Sequence, residues 1–295
     1  METSFKSNFP ATVREWAEMI KFEHTVFALP FALSGLILAA PGLPPASVFL
    51  WTILAFAGAR AAAMTLNRLI DAKIDALNPR TAERAIPAGR ISSKMAIIAT
   101  IVAFSLMIIA ACQLPRLCLY LSPIAVIWLS IYSFTKRFTW LCHIVLGIAL
   151  GGAALGGWVA AGGSLDQPAP WLLAVAVATW VAGFDIIYAL QDVDFDRKQK
   201  LHSIPARFGV KNGLIISTVL HVFTVMSLIA VGVSLSLGVC YWGGVLLVAC
   251  MLTYEHSLIK PTDLSKINAA FFTVNGVVSI LTFFVFLLDK VIRHG

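Results

Sequence analysis

The chain is expected to fold as an all-α bundle of nine transmembrane helices beneath a polar cap on the cytoplasmic side. Three observations predict it. Of the 295 residues, 59% are hydrophobic and 13% charged, with a mean hydropathy of +0.86, whereas soluble domains carry roughly 25% charged residues. Apolar stretches long enough to cross a bilayer, about 20 residues each, follow one another with short gaps, so one transmembrane domain over 1–295 is expected. The alternation of barrel strands is absent, so backbone groups in lipid have to be satisfied within helices.

The spans expected are 20–40, 47–68, 94–112, 117–135, 139–161, 170–190, 212–232, 237–258 and 267–288. The first begins after an N-terminal stretch in which Glu15, Glu18 and Glu23 interrupt Lys6, Arg14 and Lys21, with no small-residue cleavage site after it. It is therefore expected to remain as a helix rather than to be removed as a signal peptide. The gaps after spans 1, 3, 5 and 7 are short and nearly uncharged: 41-PGLPPA-46, 113-QLPR-116, 162-GGSLDQPA-169 and a brief turn near Ser234. The gaps after spans 2, 4, 6 and 8 are basic.

With the three N-terminal cations, those basic gaps hold seventeen of the 22 Lys and Arg residues; Arg116, Lys290 and Arg293 lie on the opposite side. This asymmetry places the N-terminus and the even-numbered loops in the cytoplasm. The net charge of +7 thus faces headgroups and anionic substrates, and nucleic-acid binding is excluded because no basic patch covers a soluble surface. Cys112, Cys118, Cys142, Cys240 and Cys250 form no CxxC pair and are expected as reduced, mostly buried thiols.

The two longest polar gaps resemble each other. In 67-NRLIDAKIDALNPRTAERAIPAG-89, Asn67, Asp71 and Asp75 fall at i, i+4 and i+8, along one helical face. In 185-DIIYALQDVDFDRKQKLHSIPARFG-209, Asp192 and Asp196 repeat the spacing, and Asp185 lies two turns earlier inside an apolar run. Each arm passes from carboxylates through basic residues to a proline. Stacked carboxylates repel one another unless a cation sits between them, and all-oxygen donors suit Mg²⁺ or Ca²⁺. Mg²⁺ takes one or two carboxylates and completes its shell with phosphate oxygens and water. Two such arms facing each other would grip a diphosphate, with Arg80, Arg84, Lys136, Arg197 and Arg207 as candidate cationic partners. The chemistry that fits is ionisation of an allylic diphosphate beside an apolar wall.

At these residues the chain resembles the UbiA superfamily of intramembrane prenyltransferases. The match runs through 67-NRLIDAKID-75, 192-DVDFD-196 and 201-LHSIPARFG-209 and spans essentially the whole chain. The resemblance implies a nine-helix bundle in a bacterial cytoplasmic membrane, Mg²⁺ as cofactor, and a polyprenyl diphosphate and an aromatic acid as substrates. It implies that Asn67, Asp71, Asp75, Asp192 and Asp196 bind the Mg²⁺-diphosphate, with Asp71, Asp192 and Lys136 carrying catalysis and Asp185 lining the same cavity. Tyr132 and Lys136 match a YxxxK pattern expected to touch the diphosphate. Arg60, two turns deeper than Asn67, resembles the arginine that meets the acceptor carboxylate, and a buried guanidinium does suit a bidentate carboxylate. Arg68 stands where many members have Asp, so an acidic role there is in doubt.

Plainer alternatives stay open at this point. Arg60 could bridge to Asp185, Tyr132 could be an interfacial aromatic, and Lys136 with Arg137 could serve only as membrane anchors. Glu23 and His24 could form a polar interfacial turn or touch the acceptor. The remaining histidines, including His143, lack metal-binding spacing. The run 151-GGAALGG-157 fits close helix packing, or room for a prenyl tail. The favoured acceptor is 4-hydroxybenzoate, as in ubiquinone synthesis, with a dihydroxynaphthoate, as in menaquinone synthesis, as the alternative. A transporter would also explain intramembrane carboxylates, but would spread them through the membrane depth.

Overall fold

The computed structural model describes residues 9–20 and 25–294; Lys6, Lys21, Glu23 and His24 lie outside them. Twelve α-helices run α1 Phe9–Met19, α2 Thr25–Ala39, α3 Ala46–Ile70, α4 Ala72–Asp75, α5 Ser93–Cys112, α6 Arg116–Thr135, α7 Cys142–Ala160, α8 Pro168–Ala189, α9 Val193–Lys198, α10 Ile204–Ser234, α11 Val239–Leu258 and α12 Asn275–His294. No strand occurs among the described residues beyond an isolated bridge between Lys260 and Asp263.

Seven of the helical segments described are long and apolar enough to cross a membrane: Ala46–Ile70, Ser93–Cys112, Arg116–Thr135, Cys142–Ala160, Pro168–Lys198, Ile204–Ser234 and Ala269–Arg293. The chain is an integral membrane protein. Helices α2 and α11 occupy the expected first and eighth spans; the first is 15 residues long as described and the second ends in Glu255 and His256. Helix α10 starts eight residues before the expected span. Ser203 caps it by accepting from the Ala206 amide at 3.2 Å, Pro205 fits its first turn, and Gly209 (φ +84°) breaks the helix before the apolar stretch begins.

Helix α8 is apolar on almost every side, Asp185 near its end apart, and sits at the centre, between α7 and α10. Phe31, Leu173, Trp180, Leu228, Tyr241 and Phe286 join α2, α8, α10, α11 and α12 in one core. The outer faces of α5 and α6 present Ile97, Ile101, Val102, Ile124 and Ile127, an apolar belt that lipid covers. Glu255 and Asn275 pair at 2.7 Å and His221 meets His256 at 2.9 Å, tying α10, α11 and the start of α12 through buried polar groups.

The glycines of α7 divide by face. A Cβ on Gly157 would lie 1.8 Å from the Ala32 carbonyl oxygen of α2, and one on Gly147 2.2 Å from the Ala178 oxygen of α8. Gly152 and Gly156 meet nothing within 4 Å. Close packing and open space are thus both present in 151-GGAALGG-157, on different sides of one helix. Gly157→Val forces backbone apart, so it is expected to destabilise by the upper end of overpacking costs, about 3 kcal/mol. Thermal unfolding in detergent checks this against Gly152→Ala as control; equal melting temperatures would refute it.

Helix α1 was not foreseen from the sequence. It is amphipathic, and Trp16, Met19 and Ile20 pack on Ala85, Ile86 and Ile91 of the first polar arm. Trp16 Nε1 donates to Thr65 Oγ1 at 3.0 Å, and Arg90 pairs with Glu15 at 3.0 Å. An apolar face laid on the bundle and a charged face outward is the pattern of an interfacial helix.

Candidate active site

Both carboxylate arms lie at one end of the bundle. In the first, α3 ends at Ile70, Asp71 caps it, and α4 continues almost without a break, so the i, i+4 spacing survives: Asn67 Nδ2 donates to Asp71 Oδ2 at 3.1 Å, and the Asp75 amide bonds the Asp71 carbonyl at 2.8 Å. In the second, a 3₁₀ turn over Leu190–Asp192 passes into α9, and Lys200 in the left-handed region (φ +56°) turns the chain back towards Ser203.

Each of the four arm carboxylates has its own cation. Arg80 holds Asp192 through two bonds, Nε to Oδ1 at 3.1 Å and Nη2 to Oδ2 at 2.7 Å, so it ties the first arm to the second. Arg84 donates to both oxygens of Asp75 at 2.7 Å. Arg137 reaches Asp71 Oδ1 at 2.9 Å and the Ile70 carbonyl at 2.7 Å. Lys136 Nζ lies 2.8 Å from Asp196 Oδ1, and Ser203 Oγ donates to the other oxygen at 3.0 Å. Asp196 is fully buried, so a metal reaching it has to displace Lys136.

The electrostatics follow from these pairs. Burial pushes the Asp71 pKa up against the opposing pull of Arg137. For Arg80 and Lys136 burial works towards loss of the proton, but the Asp192 and Asp196 carboxylates outweigh it and raise both pKa values. The two cations therefore stay charged.

Below the cap, Tyr132 of α6 lies close enough to Arg68, Asp71 and Asp185 to feel their charges, and Arg60 lies within reach of Tyr132. Arg60 Nε is buried without a hydrogen-bond partner, and no carboxylate pairs with Arg60 among the described residues. The alternative of an Arg60–Asp185 bridge is corrected: Asp185 Oδ2 sits 2.6 Å from His143 Nδ1. Arg68 is buried in a cleft with Arg84, Arg90, Glu15 and Glu18.

Arg207 is also corrected. It is exposed and lies over the rings of Trp140 and Phe208, 5.6 and 5.5 Å from their centroids, apart from the carboxylates. An arginine with two aromatic rings beside it stacks on them. Arg197 is likewise spent on the Ala206 carbonyl at 2.8 Å. Three residues escaped sequence reasoning. Arg137 resembled a membrane anchor, Tyr188 an ordinary aromatic although its hydroxyl accepts from Arg80 at 3.2 Å, and His143 a core histidine. The one available signal for His143 was its place at the polar end of an apolar span, level with Asp185.

Among the described residues no three carboxylate, His or Cys side chains converge to hold a metal unaided. The donors of both arms are oxygens that today neutralise cations, which fits Mg²⁺ shared with phosphate oxygens and not a closed protein cage. Asp71, Asp75 and Asp192 are carboxylates of these arms that could hold it.

The model of the UbiA prenyltransferase family matches residues 28–277. A 4-hydroxybenzoate octaprenyltransferase of Vibrio cholerae is 32% identical over 245 residues, covering 83% of this chain and 86% of that one. Among solved structures, the apo structure of a UbiA homolog from Aeropyrum pernix K1 has a TM-score of 0.83 at 34% identity, covering 90% of this chain and 98% of that one. A UbiA homolog from Archaeoglobus fulgidus bound to GPP and Mg²⁺ shares the fold, with a TM-score of 0.76 at 21% identity, covering 94% and 99%.

Proposed function

The chain belongs to the UbiA prenyltransferase family, and from that premise we propose that it transfers a polyprenyl group from its diphosphate to 4-hydroxybenzoate in quinone biosynthesis. The observation that carries this reading is the joining of two aspartate arms through the Arg80–Asp192 contact, together with a buried arginine, Arg60, whose Nε has no partner among the described residues. We place the cap and the N-terminus in the cytoplasm of a bacterial cell, on the strength of the asymmetry of Lys and Arg, and read 1–295 as one transmembrane domain.

Mg²⁺, when bound with the diphosphate, neutralises the charge that develops on the leaving group. Asp71, Asp75 and Asp192 would hold it. Arg80, Arg84, Lys136 and Arg137 stand beside those carboxylates and would turn from them to the phosphate oxygens, where fixed cations offset the charge on the leaving group. Asn67 keeps Asp71 oriented. The apolar walls of α3, α6 and α7 exclude water from the allylic cation, and the prenyl tail leaves sideways into lipid. Arg60 binds the acceptor carboxylate through its planar fork and presents the ring towards C1.

The test is purified protein with Mg²⁺, geranyl diphosphate and 4-hydroxybenzoate, or a dihydroxynaphthoate in a parallel arm, read by mass spectrometry. Prenylated hydroxybenzoate is expected; product from the naphthoate alone would move the acceptor, and no product from any aromatic acid would overturn the reading. Clustering of the ionisable groups at one end disfavours a transporter. Arg60→Ala is expected to raise the acceptor KM about 10- to 100-fold, the worth of a charge-assisted pair, with the KM for geranyl diphosphate unchanged. Equal loss towards both substrates would refute the assignment.

A further inference from the structure

Asp185 differs from every other carboxylate of the cavity in its partner. Asp71, Asp75, Asp192 and Asp196 each face a Lys or Arg, a permanent cation. Asp185 faces an imidazole. His143, the second residue of α7, is 3% exposed and its Nδ1 lies 2.6 Å from Asp185 Oδ2. The Asp185 side chain is 24% exposed and its second oxygen, Oδ1, has no hydrogen-bond partner among the described residues. His143 Nε2 is buried and also without a partner. The imidazole therefore stands closed behind the carboxylate, and the pair has one open atom, Oδ1.

The other titratable groups around the pair are Cys142, beside His143 on α7, and Tyr132 on α6, which feels both Asp185 and Cys142. Tyr132 in turn lies close enough to Arg60 to feel its charge, so the open carboxylate is on the side of the site that the reading above gives to the acceptor. A carboxylate bonded to a Lys or Arg is a weak base, because the cation favours its ionised form. One bonded to an imidazole, able to carry or share a proton near neutrality, keeps basic character.

We propose that Asp185 accepts the hydroxyl proton of the aromatic acceptor, with His143 as the positioning residue that holds the carboxylate in place. This rests on the prenyl-transfer reading above. The acceptor O–H bond breaks and its proton passes to Asp185 Oδ1. The freed electron pair enters the ring, the ring carbon bonds to C1, and the C1–O bond breaks with its pair going to the diphosphate. The dienone so formed gives its ring-carbon proton to the diphosphate and takes back the proton from Asp185 on its oxygen. Protons and charge balance, and no co-reactant is needed.

The experiment uses the full chain in detergent with Mg²⁺ and geranyl diphosphate, and compares 4-hydroxybenzoate with a ring-fluorinated analogue whose hydroxyl is more acidic. Asp185→Asn is expected to lower turnover with 4-hydroxybenzoate by about 100-fold, the lower range for loss of a general base. The deficit shrinks with the fluorinated acceptor and as pH rises, because the acceptor then ionises unaided. His143→Gln, which keeps a donor towards Asp185, shows the same dependence with a smaller loss, and decides the matter should Asp185→Asn fail to fold. Turnover of Asp185→Asn within about threefold of wild type, or a loss equal for both acceptors and at every pH, would overturn the proposal and leave the pair a structural one. A wild-type protein that prenylates no aromatic acceptor overturns the functional reading itself, and the role of Asp185 with it.

Discussion

Asp192→Ala is expected to lower prenyl transfer by about three orders of magnitude, the upper range for removal of one preorganised electrostatic group. Asp192 is the residue at which the two arms meet: Arg80 comes from the first, Asp192 from the second, and the bidentate contact between them sets their separation. Removing the carboxylate takes away a donor for Mg²⁺ and frees Arg80, which keeps only the Tyr188 hydroxyl. The measurement is initial rate at saturating geranyl diphosphate, with melting temperature as the control for folding. A variant that retains a tenth of the activity would remove Asp192 from the site.

Withdrawal of Mg²⁺ is expected to have a comparable effect on activity and almost none on stability. Chelation by EDTA reduces turnover to background, and added Mg²⁺ restores it, because the diphosphate cannot leave without charge compensation. The fold stays intact because Asp71, Asp75, Asp192 and Asp196 each already have a protein cation beside them. Many metal sites behave otherwise, with binding energy serving as folding energy. Melting curves with and without EDTA should superimpose. A large drop on chelation would mean that the metal, and not the arginines, holds the arms together.

Much of this architecture was legible before any coordinates. The apolar stretches are long and the gaps between them short, so the all-helical membrane class could be read, and Asp71 follows Asn67 on one face as the spacing required. What escaped has physical reasons. Helix α1 is too polar to register as a span and becomes recognisable once Trp16 and Ile20 have a surface to cover. The early start of α10 depends on a Ser203 cap and a left-handed Gly209, neither of which has hydrophobic periodicity. Partner choice was the least legible. Eight basic residues lie within the two arms, and only the folded chain shows that Arg207 among them rests on aromatic rings while Arg137, from a different loop, reaches Asp71. His143 was hidden for a related reason, since its partner lies 42 residues away on another helix.

The four cation–carboxylate pairs bear on the end of the catalytic cycle as well as on its beginning. Once the prenyl group has moved, the remaining inorganic diphosphate carries at least as much charge as the substrate did, and a site built only of cations and metal would hold on to it. Here Asp71, Asp75, Asp192 and Asp196 stay within reach of Arg137, Arg84, Arg80 and Lys136. Each re-forming pair competes with the product for the same cation, so the protein carries its own displacing ligands. Weak product inhibition then follows from the resting structure, and the lipid tail, which the substrate has and the product lacks, becomes what makes the one bind and the other leave.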